Sequence, residues 1–192
     1  MPTILAFDTS GPFCAVAILH KAKIVSSVKD MRKGQAEHLM PFIRDIMADN
    51  TLRFDMLDAI GVGIGPGNFT GIRIAVSAAR GMALGLNIPA VGVSGFEANS
   101  LGHTRPVTVA IPAPRDQYYI QTIFDNKTSN PSQVDSLDEI TPLSNPEPKI
   151  AVENIAQIAA ERYPTSVGRP APLYIRSADA VPASASSPVI LP

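Results

Sequence analysis

Residues 61–71 read GVGIGPGNFTG, five glycines and a proline in eleven positions. An apolar run precedes them and the Ala-rich segment FTGIRIAVSAARGMALGL overlaps and follows them. A glycine-rich turn that opens a helix is the usual frame of a phosphate cradle, because the first helical N–H groups point outward there. The residues present do not complete one. A Walker loop needs Gly-Lys-Ser/Thr, and no lysine lies between Lys33 and Lys127. The dinucleotide fingerprint needs glycine at the third position of Gly-x-Gly-x-x-Gly. Starting at Gly61, Gly63 or Gly65, that position holds Pro66, Asn68 or Thr70. What remains is a turn of fixed shape, Gly65, Pro66 and Gly67, that launches a helix through Phe69, Thr70, Gly71 and Arg73. Asn68 or Thr70 is expected as its N-cap.

The surrounding pattern fixes the fold class. TILAFDTS, CAVAILH and KIVSSVK read as three strands with a tight turn near residues 20–22. The segment AEHLMPFIRDIMAD, residues 36–49, has its apolar side chains at helical spacing, with Pro41 in the first turn or bending it. DAIGVGIG is a buried strand, residues 70–86 a helix, PAVGVS a strand and GFEANSLG a short helix. The order βββαβαβα over residues 1–103 predicts an α/β chain, a mixed sheet flanked by helices, as in the ribonuclease H-like fold of actin-like ATPases. Residues 104–180 are expected to form a smaller second lobe, with strands at VTVAIPA, QYYIQTIF and KIAV and a helix at NIAQIAAERY. Residues 181–192, rich in Pro, Ser and Ala, read as a loose tail.

Composition narrows the function. Of 192 residues 45% are hydrophobic and only 17% charged, which fits either a deep core or an apolar surface that meets a partner. A net charge of −1 argues against nucleic-acid binding by bulk electrostatics, although Lys21, Lys23, Lys29, Arg32 and Lys33 cluster early. No membrane span and no secretory leader are read from the sequence, and a cytoplasmic protein is expected. Cys14 is alone, and His20, His38 and His103 are widely spaced, so neither a metal site nor a nucleophile–base pair is expected. Asp8 ends the first strand, where actin-like ATPases hold magnesium, but no Asp-x-Gly follows anywhere to form their second phosphate loop. Asp8-Thr9-Ser10 is read instead as a turn held by side-chain hydrogen bonds.

The strings ILAFDTS…CAVAI, AEHLMPFI and DAIGVGIGPGNFTGIRIAVSAARGMALGLNIPAVGVS, with the late PLYIRSADA, resemble the bacterial TsaB (YeaZ) family. Two positions depart from its pattern: Ala113-Pro114-Arg115 stands for Asp-Ala-Arg, and Gln35 for a frequent histidine. The resemblance implies a non-catalytic relative of TsaD, the enzyme that threonylcarbamoylates the adenosine beside the anticodon of tRNA. It implies a subunit that pairs with TsaD, is joined by the ATPase TsaE, meets tRNA through that complex and can self-associate when alone. No cofactor is implied. TsaD carries His-x-Glu-x-His after the strand that here ends AVGV; this chain reads Gly95-Phe96-Glu97-Ala98-Asn99 there.

The partner surface is expected on the two long helices. On a helical wheel Thr70, Arg73, Ser77 and Arg80 form one polar stripe, and the apolar arc exceeds what one sheet covers. Ile74, Ala75, Ala78, Met82 and Gly85 are assigned to the partner, with Leu39, Met40, Ile43 and Met47 of the first helix. A stand-alone actin-fold ATPase or kinase, and a glycoprotease-like peptidase, are the alternatives.

Overall fold

A computed structural model describes residues 1–138, 140–143, 145–165 and 168–175. The expected tail at 181–192, and the end of PLYIRSADA, lie outside the described residues.

Strand β1 (Ile4–Asp8) pairs antiparallel with β2 (Phe13–His20), and β2 with β3 (Lys23–Asp30). The β2–β3 turn places Lys21 and Ala22 at positive φ, the two-residue hairpin geometry that matches strand twist. Helix α1 (Gln35–Asp49) follows, then β4 (Ala59–Gly63), helix α2 (Phe69–Leu86), β5 (Ala90–Val93) and the short helix α3 (Gly95–Ser100). β4 and β5 join in parallel, giving the sheet order β3-β2-β1-β4-β5. This is the ribonuclease H-like arrangement that the sequence order predicts. A second sheet, order β6-β7-β8, comprises β6 (Val107–Ala113), β7 (Gln117–Ile123) and β8 (Ser132–Val134). Helix α4 (Pro148–Arg162) closes the described chain but for a short strap at residues 168–175.

The side-chain alternation of the central strands encodes two unlike faces. Leu5, Phe7, Val16, Ile18, Ile60 and Val62 point to one side and form a core with α1 and α2. Ala6, Ala15, Ala17 and Ala59 point to the other, with Ile4, and meet α4. Large residues hold two helices at ordinary distance; small ones let a third approach closely. A Cβ on Gly61 would lie 2.9 Å from the Ala159 Cβ.

Two expectations change. KIAV is not a strand: Pro148 occupies the first helical position and residues 149–152 are the opening turn of α4, with Val152 fully buried on the sheet. α4 also packs on β1, β2 and β4, so residues beyond 103 complete the core of the first sheet. Pro41 lies in the second turn of α1, on its exposed side. Having no N–H, Pro41 leaves the Glu37 carbonyl without its helical donor, on the solvent side of the helix.

Candidate partner surface and interlobe cleft

The Gly-Pro-Gly turn is a junction of three chain segments. Gly65 sits at φ 92°, and its carbonyl accepts from the Gly95 N–H at 2.8 Å, tying the turn to α3. Asn68 is the N-cap of α2: its side chain accepts from the Gly71 N–H at 2.8 Å, and its own N–H donates to the Ser10 carbonyl at 2.6 Å. The Thr9 hydroxyl donates to the Gly71 carbonyl at 2.6 Å, both groups buried. Gly67 and Gly71 are glycine because the β1 end presses on them: a Cβ would come 2.5 Å from the Ser10 carbonyl oxygen and 1.9 Å from that of Thr9. Gly65 and Pro66 are buried, whereas Phe69, Thr70 and Arg73 reach solvent. Every polar group of the turn that these bonds use is satisfied by protein.

Asp8 behaves as the turn reading predicts. Its carboxylate accepts from the Ser10 N–H at 2.8 Å and the Ser10 hydroxyl at 2.9 Å. Burial pushes the carboxyl above its ordinary value, against the lowering effect of the Ser10 and Thr9 hydrogen bonds. Asp8 lines a recess of about 210 Å³. In front of that recess, between the two sheets, opens a cleft of about 850 Å³. Gln35, Phe69, Tyr119 and Tyr174 line the cleft, and Arg32 is the one cation among its lining residues.

At the position of the TsaD metal motif, the side chains are already engaged. Ser94 and Glu97 form a reciprocal capping box at the start of α3. Glu97 also pairs with Arg162 of α4 at 2.7 Å. Burial alone would raise the Glu97 carboxyl, but the Ser94 N–H, the Arg162 guanidinium and the Ser94 hydroxyl hold it below the usual value. Asn99 donates to Asn145 at 2.5 Å. A Cβ on Gly95 would meet the Ile111 side chain at 2.9 Å. Among the described residues, no three His, Cys, Asp or Glu side chains gather to hold a metal. The Cys14 thiol is fully buried, and burial pushes it up to about 11.

α1 and α2 lie side by side on one face of the sheet, and this divides the residues expected at a partner surface. Leu39, Ile43, Met47 and Ala75 are 0–1% exposed and belong to the core beneath the helices. The wheel counted their arc as free; the contact between the two helices and the sheet consumes it. Met40 is 42% exposed, Ile74, Ala78 and Met82 are half-buried, and Gly85 is exposed. Ile74, Ala78 and Met82 pack against the edge of that core and present only part of their surface to solvent, whereas Met40, Gly85 and Gly81, a residue the wheel did not single out, are exposed. A Cβ on Gly81 or Gly85 would meet nothing within 4 Å.

The polar stripe of α2 is occupied in a way the sequence did not show. Arg73 lies 3.7 Å above the Phe69 ring and donates to the Tyr174 hydroxyl at 2.8 Å. Phe69 and Tyr174 are 5.0 Å apart. Arg80 donates to the Pro170 carbonyl at 2.7 Å. The only sequence signal was the shared stripe of Arg73 and Arg80, seven residues apart.

Comparison with known proteins agrees with this architecture. The sequence model of the family described as TsaD, tRNA N6-adenosine threonylcarbamoyltransferase, matches residues 29–181. The chain is 30% identical to the tRNA threonylcarbamoyladenosine biosynthesis protein TsaB of Haemophilus influenzae, over 65% of this chain and 55% of that protein. It is 31% identical to the TsaB of Escherichia coli, over 60% and 52%. The chain thus spans about half the length of these curated relatives. An uncharacterized protein of Mycobacterium tuberculosis is 30% identical over 94% of both chains. The structure of YeaZ from Pseudomonas aeruginosa superposes with a TM-score of 0.69 at 23% identity, covering 91% of this chain and all of that one. With the family match running over most of its length, the chain belongs to the family so described, and its curated relatives named above are TsaB proteins.

Proposed function

We propose that the chain is the non-catalytic subunit that binds TsaD for formation of threonylcarbamoyladenosine beside the anticodon of tRNA. TsaE joins that complex, and tRNA is met through it. Residues 1–103, with α4 completing their core, form the lobe that carries the partner surface, and the β6-β7-β8 sheet forms the reduced second lobe. The observation that carries the reading is one edge of α2: Gly81 and Gly85, whose neighbouring space is open, beside the half-buried Ile74, Ala78 and Met82, which pack on the core with one side and reach solvent with the other. Small residues let a second helix approach the backbone, and Met40 and Met82 can repack against whatever arrives. The curated relatives named TsaB support the pathway. The engagement of Glu97 by Ser94 and Arg162 supports a supporting role rather than metal-dependent transfer.

The same surface supports self-association when TsaD is absent. The test is co-purification of the full chain with TsaD and TsaE from one source, followed by a tRNA threonylcarbamoylation assay with and without the chain. A ternary complex that modifies tRNA only when the chain is present is expected. Full modification without it would sink the reading.

A further inference from the structure

The strap at residues 168–175 crosses the molecule from one end of α2 to the other. It begins at a hollow of about 540 Å³ beside the C-terminal half of α2 and ends in the interlobe cleft, where Leu173, Tyr174 and Ile175 form part of the wall. Three polar contacts hold it. The Leu173 N–H donates to the Ile64 carbonyl at 2.8 Å, Arg80 donates to the Pro170 carbonyl, and Arg73 donates to the Tyr174 hydroxyl. Arg73 and Arg80 are separated by seven residues, so they share a face and lie about 10 Å apart along the axis.

Both arginines are held by neutral oxygens. Among the described residues the ion pairs are Arg44–Asp45, Arg53–Asp55 and Arg162–Glu97, and neither strap arginine is in one. The lining of the hollow carries Arg80 and Arg169 and no acidic side chain. A guanidinium binds a carboxylate about twice as strongly as a neutral acceptor, and in a bidentate geometry that a carbonyl or hydroxyl cannot match. A carboxylate is thus the stronger acceptor for both of the strap's pins.

We propose that the strap is a latch: Arg73 and Arg80 pin it in the free chain, and a partner seated on α2 with carboxylates about 10 Å apart takes over both arginines, releases the strap and widens the cleft. The exposed Ser77 and Leu84 lie between the pinned stripe and the row of Ile74, Ala78, Gly81 and Gly85, so a partner that reaches both covers the whole exposed side of α2. The occupant is the partner of the reading above, and the release step rests on that reading. Occupancy of the helix face and the shape of the cleft are then linked, and the linkage is reciprocal.

Hydrogen exchange at the Leu173 amide reads the latch directly, with the amides of β1 and β4 as internal controls. In the free full-length chain, the double variant Arg73→Ala, Arg80→Ala is expected to speed Leu173 exchange about tenfold or more while the control amides keep their rates. An unchanged Leu173 rate overturns the pinning. In the wild type, titration with TsaD is expected to speed Leu173 exchange as the complex forms, while Ala78 and its neighbours gain protection. Complex formation with an unchanged Leu173 rate overturns the release step alone. Failure of any complex to form overturns the release step together with the function proposed above. The double variant is also expected to bind TsaD about tenfold more weakly and with a shallower salt dependence; equal affinity at all salt concentrations contradicts the acidic partner.

Discussion

A Cβ on Gly71 would lie 1.9 Å from the carbonyl oxygen of Thr9, whose hydroxyl donates to the Gly71 carbonyl at 2.6 Å. The first turn of α2 is thereby seated on the end of β1, backbone against backbone. Gly71→Ala must push the two apart, and neither is a flexible side chain that can swing aside. The variant is expected to lose about 3 kcal/mol or more, at the upper end of overpacking costs. Thr9→Val, which keeps the shape and removes the donor, is expected to lose about 1 kcal/mol, the usual net worth of one hydrogen bond, since the Gly71 carbonyl keeps its helical donor. Urea denaturation of both variants measures this. A Gly71→Ala protein as stable as wild type would mean that the turn does not hold α2.

Gly61 tests the close layer on the opposite face. Its added Cβ would sit 2.9 Å from the Ala159 Cβ and 3.2 Å from the Ile155 carbonyl. Gly61→Ala is expected to cost about 1–3 kcal/mol, although alanine is ordinarily the better strand residue. Pairing it with Ala159→Gly should recover part of the loss, since the two sites share one contact. A double-mutant cycle with no coupling would contradict direct packing of α4 on this strand.

Asp8 carries a definite pH signature. Its carboxyl is raised in the folded chain, so the folded state favours the protonated form. Its favourable contribution is complete below the unfolded value of about 3.9 and is lost as pH rises through the folded value. Asp8→Asn keeps an acceptor for the Ser10 N–H and removes the buried charge. The variant is expected to be more stable than wild type at pH 7, with the advantage shrinking towards pH 4. Thermal melts across that range report it, and a constant difference at every pH would count against a strained carboxylate.

Glu97 should show the opposite slope. Its carboxyl is lowered, so its stabilisation is present above the unfolded value of about 4.3 and is lost as pH falls through the folded value. Glu97→Gln is expected to cost about 1 kcal/mol at pH 7, the usual size of a capping contribution, and almost nothing in strong acid. Retention of the full difference at acid pH would show that the charge is irrelevant there.

Much of the first sheet was legible because its signals are local. The strand tips, the Gly-Pro-Gly turn and the helix of residues 70–86 each carry their own punctuation. The Ser94-x-x-Glu97 spacing also holds a capping box that sequence inspection could have found. What was hidden is long-range. KIAV has strand composition, and only the placement of Pro148 and the small floor of Ala6, Ala15 and Ala17 turns it into a helix laid across the sheet. A helical wheel cannot say which neighbour covers an apolar arc, so Leu39, Ile43, Met47 and Ala75 read as surface and proved to be core. Arg73 and Arg80 read as a polar stripe, and their acceptors lie 101 and 90 residues further along the chain, where Tyr174 and Pro170 return to them through the strap.

The outward face of α2 as the TsaD-binding surface is the central claim. Ala78 is half-buried on that face, with Gly81 and Met82 beside it. The half-exposed position lets a longer glutamate carry its carboxylate to solvent in the free chain, whereas in the complex an unpaired buried charge costs about 2–5 kcal/mol. The decisive measurement is titration calorimetry of TsaD with wild type, Ala78→Glu and Met40→Asp, after circular dichroism has established that each variant is folded. The account predicts a loss of roughly thirty-fold or more in affinity for each variant. Folded variants that bind TsaD as tightly as wild type would contradict it.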